Sequence, residues 1–187
     1  MDSVEERIKG IGGWLSPHEA QVLEQLARDE VVMEIGSYYG RSTVAMAAVA
    51  KKMICIDSFL FGSDLPYPRD ETGRLIPPAV KSDARETFEG NVAPWRDKLE
   101  VCEMDSLEAV KLDWEPVGLL FIDGGHDYET VKSDCGFLKW VIPGGHVAFH
   151  DASWGSVGKA IREAMTDNPD WEVVENYGNM LVYKRND

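Results

Sequence analysis

Residues 31–50, VVMEIGSYYGRSTVAMAAVA, join an apolar run to an alanine-rich stretch through a turn that contains Gly36 and Gly40. The apolar run predicts a buried β-strand, and residues 41–50 have the apolar spacing of a helix. Glycines in such a turn let the backbone adopt positive φ and approach a ligand closely, beside the free N–H groups of a helix N-terminus. The turn is therefore the first candidate for a binding site.

The alternation of strand and helix continues along the chain. Strands are predicted at VVMEIG, MICID, LEVCE, GLLFID and GHVAFHD, and helices at 41–50, 80–90, 106–111, 127–140 and 156–166. This pattern predicts a mostly parallel sheet with helices on both faces. Only GN separates WEVVENY from MLVYKR, which is too short for a parallel crossover and predicts a hairpin. We therefore predict an α/β fold: a doubly wound, Rossmann-like, mostly parallel seven-stranded sheet with a C-terminal antiparallel hairpin.

The length of 187 residues is typical of one compact domain, so we predict a single domain over residues 1–187. Its N-terminal region, residues 1–29, is predicted to be helical, because Ser16, Pro17 and Glu19 form a helix-start signature. Residues 58–79 contain four prolines and two glycines and predict a long loop. Loops of this length are usually functional or disordered, and we interpret this one as a lid or substrate loop.

Charge and composition narrow the class of partner. The formal net charge is −14 and the 19 Lys and Arg residues form no basic stripe, which argues against nucleic acid or an acidic membrane as partner and favours a small molecule. No apolar run is long enough for a membrane helix, and the charged N-terminus is unlike a signal peptide, so a cytoplasmic location is expected. The three cysteines lack metal-ligand spacing and predict reduced thiols. The sequence leaves open whether the chain forms a homodimer.

The strand after the glycine turn ends in Asp57, 21 residues after Gly36, where an acidic side chain can bind both hydroxyls of a ribose. This placement suits either NAD or S-adenosylmethionine. The turn reads GSYYG and lacks the G-x-G-x-x-G fingerprint of NAD-binding proteins. Glu34 and the two tyrosines in the turn also disfavour a pyrophosphate, whereas a sulfonium cation tolerates a negative charge. The balance favours S-adenosylmethionine.

A second group of polar residues follows two later strands. FIDGGHDYE ends one strand in Asp123, and VAFHD ends the next in His150 and Asp151. Neighbouring parallel strands lie about 5 Å apart, so these side chains can converge on one small volume. Carboxylates there suit Mg²⁺ or another divalent ion that orients a hydroxylated substrate, and His126 is placed to accept the hydroxyl proton.

Helix capping is the alternative reading of these same residues. His126 or Asp127 could cap the helix that follows them, and Asp151 could cap the helix that begins near Trp154. Glu34 likewise has an alternative role as a buried partner of Arg41. The sequence leaves these alternatives open.

Several segments together resemble class I S-adenosylmethionine-dependent methyltransferases. They are VVMEIGSYYGRSTVAMA, MICIDSF, LLFIDGGHDYETVKSDCGFLKWVIPGGHVAFHD and the terminal hairpin, and the resemblance spans about residues 16–184. It is closest to the small-molecule O-methyltransferase branch that includes catechol-type and macrolide-sugar enzymes. The resemblance implies cofactor contacts by Glu34, Gly36, Ser37, Gly40, Ser42 and Thr43 at the methionine end, Asp57 and Ser58 at the ribose, Asp105 and Ser106 beside the adenine, and Asp123 near the reacting group.

The resemblance also implies catalytic roles. Asp123 and His126 match a metal ligand and a general base of the macrolide-sugar enzymes, and Asp151 matches a second ligand. His150 stands where those enzymes have a glutamate, so a metal on Asp123, His150 and Asp151 could be Mg²⁺, Mn²⁺, Fe²⁺ or Zn²⁺, or the site could lack a metal.

The function expected from these observations is S-adenosylmethionine-dependent O-methylation of a small hydroxylated acceptor, such as a sugar or another diol. The acceptor pocket is predicted to include Trp154 and the apolar residues of the 58–79 loop, namely Phe59, Leu60, Phe61, Leu65 and Tyr67. Two alternatives remain: a methyltransferase-like module that binds the cofactor without catalysis, and an NAD-dependent oxidoreductase.

Overall fold

Seven strands form one mixed sheet in the computed structural model, which describes residues 2–60, 71 and 83–187. The strands are β1 (Val31–Ile35), β2 (Lys52–Asp57), β3 (Leu99–Glu103), β4 (Val117–Ile122), β5 (Val141–Phe149), β6 (Trp171–Tyr177) and β7 (Met180–Arg185). Their order is β3-β2-β1-β4-β5-β7-β6, with the first five parallel and β7 antiparallel to both of its neighbours. The predicted parallel sheet with a C-terminal antiparallel hairpin is confirmed.

Helices cover both faces of this sheet. They are α1 (Val4–Ile8), α2 (Pro17–Ala27), α3 (Arg41–Ala47), α4 (Ala84–Val92), α5 (Ser106–Ala109), α6 (Tyr128–Asp134) and α7 (Gly155–Met165). The first four pack into one hydrophobic core and the last three into a second core on the opposite face. Successive side chains of β1 point to opposite faces of the sheet, so Val32 packs in the first core while Met33 and Ile35 pack in the second. The described helices include none that is long and apolar enough to cross a bilayer.

Two predicted elements differ from the structure. The helix predicted over 127–140 is α-helical only to Asp134 and continues as a 3-10 helix over Cys135–Trp140. Gly136, a weak helix former, lies in this tighter segment. The strand predicted at GHVAFHD begins earlier than expected, because β5 starts at Val141 and includes the preceding Ile142, Pro143 and Gly144. A register shift opposite β4 absorbs the irregularity, with Gly144 at a φ of 76°.

The predicted lid over residues 58–79 lies outside the described residues except for Ser58, Phe59, Leu60 and Glu71. Phe59 is buried and its ring lies 5.2 Å from that of Phe88 in α4. The start of the loop therefore packs into the core of the domain beside the end of β2.

The strand order changes direction at β1. β2 lies on one side of β1 and β4 on the other, so the two following crossovers leave a crevice at the carboxyl ends of these strands. Backbone hydrogen bonds continue past the strand ends: Gly36 N–H donates to Ile56 O, Asp123 N–H to Ile35 O and His150 N–H to Ile122 O, at 2.8–3.0 Å. These bonds bring both predicted constellations to the same edge of the sheet.

Position 36, at this edge of the sheet, requires glycine for two reasons. Its φ is +87°, in the left-handed region, and a Cβ atom at this position would lie 2.2 Å from the carbonyl oxygen of Asp123. Atoms cannot approach so closely, and the obstacle is backbone that cannot swing aside. A side chain at position 36 would therefore push β1 and β4 apart where the crevice opens.

Replacement of Gly36 by Ala should lower the free energy of unfolding by about 2–5 kcal/mol, because strain and overpacking act together. Gly90→Ala is the matched control, since a Cβ there has no heavy atom within 4 Å. In the interior of α4 the same change should raise stability by up to about 1 kcal/mol. Urea unfolding followed by circular dichroism measures both. Equal stability of the two variants would contradict the role of the close approach.

Candidate active site

A cavity of about 800 Å³ opens at the crevice between β1 and β4. Its walls include most of the predicted cofactor residues: Gly36, Ser37, Ser42, Asp57, Ser58, Asp105, Ser106 and Asp123. The predicted base and metal ligands, His126, His150 and Asp151, line the same cavity. The tertiary structure thus joins the glycine turn and the carboxylate–histidine group into one site.

Glu34 lies beneath the glycine turn and does not line this cavity, and neither do Gly40 and Thr43. The Glu34 carboxylate is fully buried and accepts hydrogen bonds from the hydroxyls of Ser37 (2.7 Å), Ser42 (2.6 Å) and Thr43 (2.5 Å). It therefore ties the turn to the first turn of α3 from behind. Glu34 therefore supports the glycine turn from below.

Arg41 does not pair with Glu34, so that alternative is wrong. Its guanidinium donates hydrogen bonds to the carbonyls of Ile8 (2.9 Å), Ile11 (2.8 Å) and Leu15 (2.8 Å). Arg41 thereby fastens the N-terminal segment 9–15 to the start of α3. This segment forms part of the cavity wall, which nothing in its sequence had indicated.

Asp57 organises the glycine turn from the end of β2. Its half-buried carboxylate accepts backbone N–H groups from Ser37 (2.8 Å), Tyr38 (2.8 Å) and Phe59 (2.7 Å). Burial raises the pKa of Asp57, while these backbone donors favour the ionised form. Asp57 faces the cavity beside Ser58, so its predicted ribose contact has the required location.

The catalytic candidates form a compact cluster at the ends of β4 and β5. Nε2 of His126 lies 2.9 Å from Oδ2 of Asp151 and 3.8 Å from Oδ1 of Asp123. Nδ1 of His150 lies 3.2 Å from Oδ1 of Asp123 and 3.5 Å from Oδ2 of Asp151. Two imidazoles therefore face the same two carboxylates.

The charges of this cluster are strongly coupled. Burial lowers the pKa of His126, but contact with Asp123 and Asp151 outweighs it and raises the value to about 9. The same balance raises the pKa of His150 to about 11. The histidines in turn hold the pKa of Asp151 well below its usual range, although burial opposes this. Contact with the two carboxylates thus favours the protonated form of both imidazoles.

Helix capping does not explain the positions of His126 and Asp151. Asp127 caps α6, since its carboxylate accepts the Thr130 N–H (3.0 Å) and hydroxyl (2.6 Å). The start of α7 has no side-chain cap, and the Asp151 carboxylate turns instead toward the histidines and Asn179. His126 and Asp151 are therefore available for chemistry.

One ligand atom each from Asp123, His150 and Asp151 lies within 4.8 Å of the others, a spacing that suits a metal ion. Both ring nitrogens of His150 are buried and make no hydrogen bond of normal geometry within the described part of the chain, and Nδ1 is the one that faces Asp123 and Asp151. A buried polar atom aimed between two carboxylates fits a divalent cation with mixed nitrogen and oxygen ligands.

Several cavity residues were missed by sequence reasoning. Trp14 stacks on Tyr38 with ring centroids 5.8 Å apart, and Tyr38 stacks on Tyr39. Glu19 and Asn179 also line the cavity, although their sequence signals were a capping box and a hairpin turn. Trp154, which was predicted, lies 4.9 Å from the His126 ring and is 51% exposed.

Residues 33–152 match the model of a family described as a methyltransferase domain, over more than half of the chain. The chain belongs to this methyltransferase family. The predicted class I, S-adenosylmethionine-dependent methyltransferase is thereby confirmed, and the NAD-dependent alternative is set aside. The turn of this enzyme reads GSYYG and lacks the G-x-G-x-x-G fingerprint of NAD-binding proteins.

Solved structures show the same fold at low identity. The methyltransferase is similar to an O-methyltransferase from Bacillus cereus in complex with SAH (TM-score 0.66, 17% identity, 99% of this chain and 91% of that chain). It is also similar to the O-methyltransferase TomG from Streptomyces achromogenes in complex with SAM (TM-score 0.66, 13% identity, 100% and 91%). A third is the TDP-rhamnose 3′-O-methyltransferase of calicheamicin biosynthesis (TM-score 0.61, 17% identity, 98% and 87%).

The buried Glu34 makes stability depend on pH. Burial raises its pKa from an ordinary 4.5 to about 7, against the effect of its three hydroxyl donors. Between these values the folded state holds the proton more firmly than the unfolded state, so the contribution of Glu34 to the free energy of unfolding should be complete below about pH 4.5 and fall by about 3 kcal/mol as pH rises to 7.

Glu34→Gln removes this titration, so its free energy of unfolding should change less than that of the wild type between pH 5 and pH 7. Glu86→Gln, on the exposed side of α4, is the control and should follow the wild type. Urea unfolding at several pH values makes the comparison. Parallel profiles for wild type and Glu34→Gln would refute the buried titration.

Proposed function

We propose that this methyltransferase methylates a hydroxyl group of a small acceptor, such as a sugar or another vicinal diol, with His126 as the general base. The observation that carries the proposal is the pair formed by His126 and Asp151 at 2.9 Å, in the same cavity as the glycine turn. An imidazole beside a carboxylate is a common arrangement for removing a hydroxyl proton.

The cavity suits S-adenosylmethionine. When bound, the cofactor supplies an electrophilic methyl group on a sulfonium. Asp57, Asp105 and Asp123 make the wall acidic, which attracts this cation and repels the pyrophosphate of a dinucleotide. Gly36 and Ser37 present backbone close to the ligand, and their turn is held rigid by Asp57 from one side and Glu34 from the other.

His126 is held in place by contacts on several sides. Its ring packs on Trp154 and its backbone carbonyl accepts a hydrogen bond from the Ser156 hydroxyl at 2.6 Å. The imidazole would take the acceptor proton, and Asp151, 2.9 Å from Nε2, would stabilise the imidazolium that results. Fixing the base in this way supplies orientation, which is a large part of the rate enhancement in reactions between two bound groups.

Asp123, His150 and Asp151 would hold a divalent cation, for which we propose Mg²⁺ or Mn²⁺. Such an ion, when bound, lowers the pKa of a coordinated hydroxyl and orients it. The imidazole ligand favours Mn²⁺ over Mg²⁺, because Mg²⁺ prefers oxygen ligands. The ion would compete with the proton that the two carboxylates favour on His150.

The acceptor pocket lies beside the base. Trp154 offers an exposed ring face next to His126, on which a sugar or a planar ring can pack. Trp14 and Tyr38 add a second aromatic surface to the cavity. A small-molecule acceptor also agrees with the net charge of −14, which disfavours nucleic acid.

Cofactor identity is tested by calorimetric titration with S-adenosylhomocysteine and, separately, with NAD⁺. Only the first should bind, and Asp57→Ala should weaken it at least about tenfold, because three backbone N–H groups lose their acceptor. Asp113→Ala, at an exposed site, is the control and should bind like the wild type. Binding of NAD⁺ alone would refute the cofactor assignment.

His126→Ala should reduce methyl transfer about 10²–10⁴-fold while affinity for S-adenosylhomocysteine stays within about twofold. The control is His18→Ala, which removes an exposed imidazole outside the cavity and should retain full activity. The assay uses labelled S-adenosylmethionine and a panel of sugars and diols with Mn²⁺ or Mg²⁺. Unchanged turnover in His126→Ala would remove this residue from the mechanism. No transfer to any acceptor despite cofactor binding would favour the catalytically silent module.

A further inference from the structure

We propose that Glu19 is a positioning residue of the metal site, holding His150 so that its Nδ1 atom faces Asp123 and Asp151. This inference rests on the metal-assisted function proposed above. It assigns a role to a residue that the sequence connected only with the start of α2.

Glu19 occupies the third position of α2 and completes a capping box with Ser16. Residues of such boxes normally lie at the surface, but Glu19 is only 4% exposed. Its Oε2 accepts the Ser16 N–H (2.9 Å) and its Oε1 accepts the Asn179 N–H (3.0 Å). The carboxylate is therefore fixed by backbone from two elements and points into the cavity wall.

His150 lies between this carboxylate and the acidic pair. Its Nε2 is 3.6 Å from Oε2 of Glu19, while its Nδ1 faces Asp123 and Asp151 on the other side of the ring. The ring is 3% exposed, so solvent does not compete for either nitrogen. A negative charge beside Nε2 would keep the proton on that nitrogen when a cation takes the place of the proton on Nδ1.

Asn179 connects this support to the second ligand. In the turn between β6 and β7, its side-chain amide donates to Oδ1 of Asp151, and its carbonyl accepts the Ala152 N–H at 3.1 Å. Asp151 has a φ of 52°, an unfavourable conformation for a residue with a side chain, and these bonds hold it there. Glu19 and Asn179 thus hold both ligands from β5 in place.

Glu19→Gln is the discriminating variant. Glutamine has the same shape but one acceptor oxygen, so its NH₂ group must face an N–H donor of Ser16, Asn179 or His150. An NH₂ group in the position of Oε2 faces the Ser16 N–H and Nε2 of His150, and one in the position of Oε1 faces the Asn179 N–H. In either orientation the negative charge beside Nε2 is lost, so a proton on Nε2 and a lone pair on Nδ1 are less favoured.

Ser16→Ala is the matched control. It removes the other half of the capping box, the Ser16 hydroxyl that accepts the Glu19 N–H, and leaves the carboxylate beside His150. Both variants should lower the melting temperature, because each weakens the start of α2. A purely structural role for Glu19 would affect metal affinity equally little in both.

The measurement is calorimetric titration of each protein with Mn²⁺, with no acceptor present. We expect Glu19→Gln to bind Mn²⁺ about 10–100-fold more weakly than the wild type, and Ser16→Ala to bind within about twofold of it. Equal affinity of Glu19→Gln and wild type would overturn the inference and leave the metal site intact. Absence of Mn²⁺ binding by the wild type would overturn both the metal site and this role of Glu19.

A second measurement uses only the wild-type protein and does not depend on the folding of a variant. Long-range ¹H–¹⁵N spectra of the protein with Zn²⁺, a diamagnetic ion, report which nitrogen of each imidazole carries the proton. The His150 proton should reside on Nε2, facing Glu19. A proton on Nδ1 would overturn the inference.

Discussion

The close approach of Gly36 to the backbone of Asp123 is the contact on which the active site depends. A Cβ at position 36 would lie 2.2 Å from the Asp123 carbonyl oxygen, so this approach requires glycine. It lets the carboxyl ends of β1 and β4 come together at the point where the strand order changes direction. The glycine turn follows β1, and Asp123 and His126 follow β4. Their proximity therefore results from backbone packing rather than from contacts between their side chains.

Three carboxylates with little solvent exposure hold the backbone around the cavity in place. Glu34 accepts hydrogen bonds from three hydroxyl groups beneath the turn, and Asp57 accepts them from three backbone N–H groups beside it. Glu19 accepts two further backbone N–H groups near His150. Each burial is costly unless its hydrogen bonds are made, so each carboxylate holds its donors in a defined geometry. The same concentration of negative charge suits a sulfonium cofactor and a divalent cation. The same carboxylates thus both hold the backbone in place and favour positively charged ligands.

The acceptor side is built from distant parts of the chain. The N-terminal segment 9–15, fastened by Arg41, brings Trp14 to the cavity, while Trp154 comes from the connection between β5 and α7. Asn179 of the terminal hairpin completes the support of the Asp151 carboxylate. Residues far outside the glycine motif therefore shape the region where the acceptor would bind, a common division in folds whose loops carry specificity.

Local patterns in the sequence were sufficient to predict the fold and to select most of the candidate residues that line the cavity. Hydrophobic periodicity identified the strands, and their polar ends identified Asp57, Asp123, His126, His150 and Asp151, because parallel strands place their carboxyl ends at one edge. Competing roles for a residue could be resolved only by the tertiary structure. Asp127 rather than His126 caps α6, Arg41 binds carbonyls rather than Glu34, and the capping residue Glu19 also faces His150. Short-range spacing predicts what a residue can do within its own element, whereas its partner across the cavity depends on how distant elements pack.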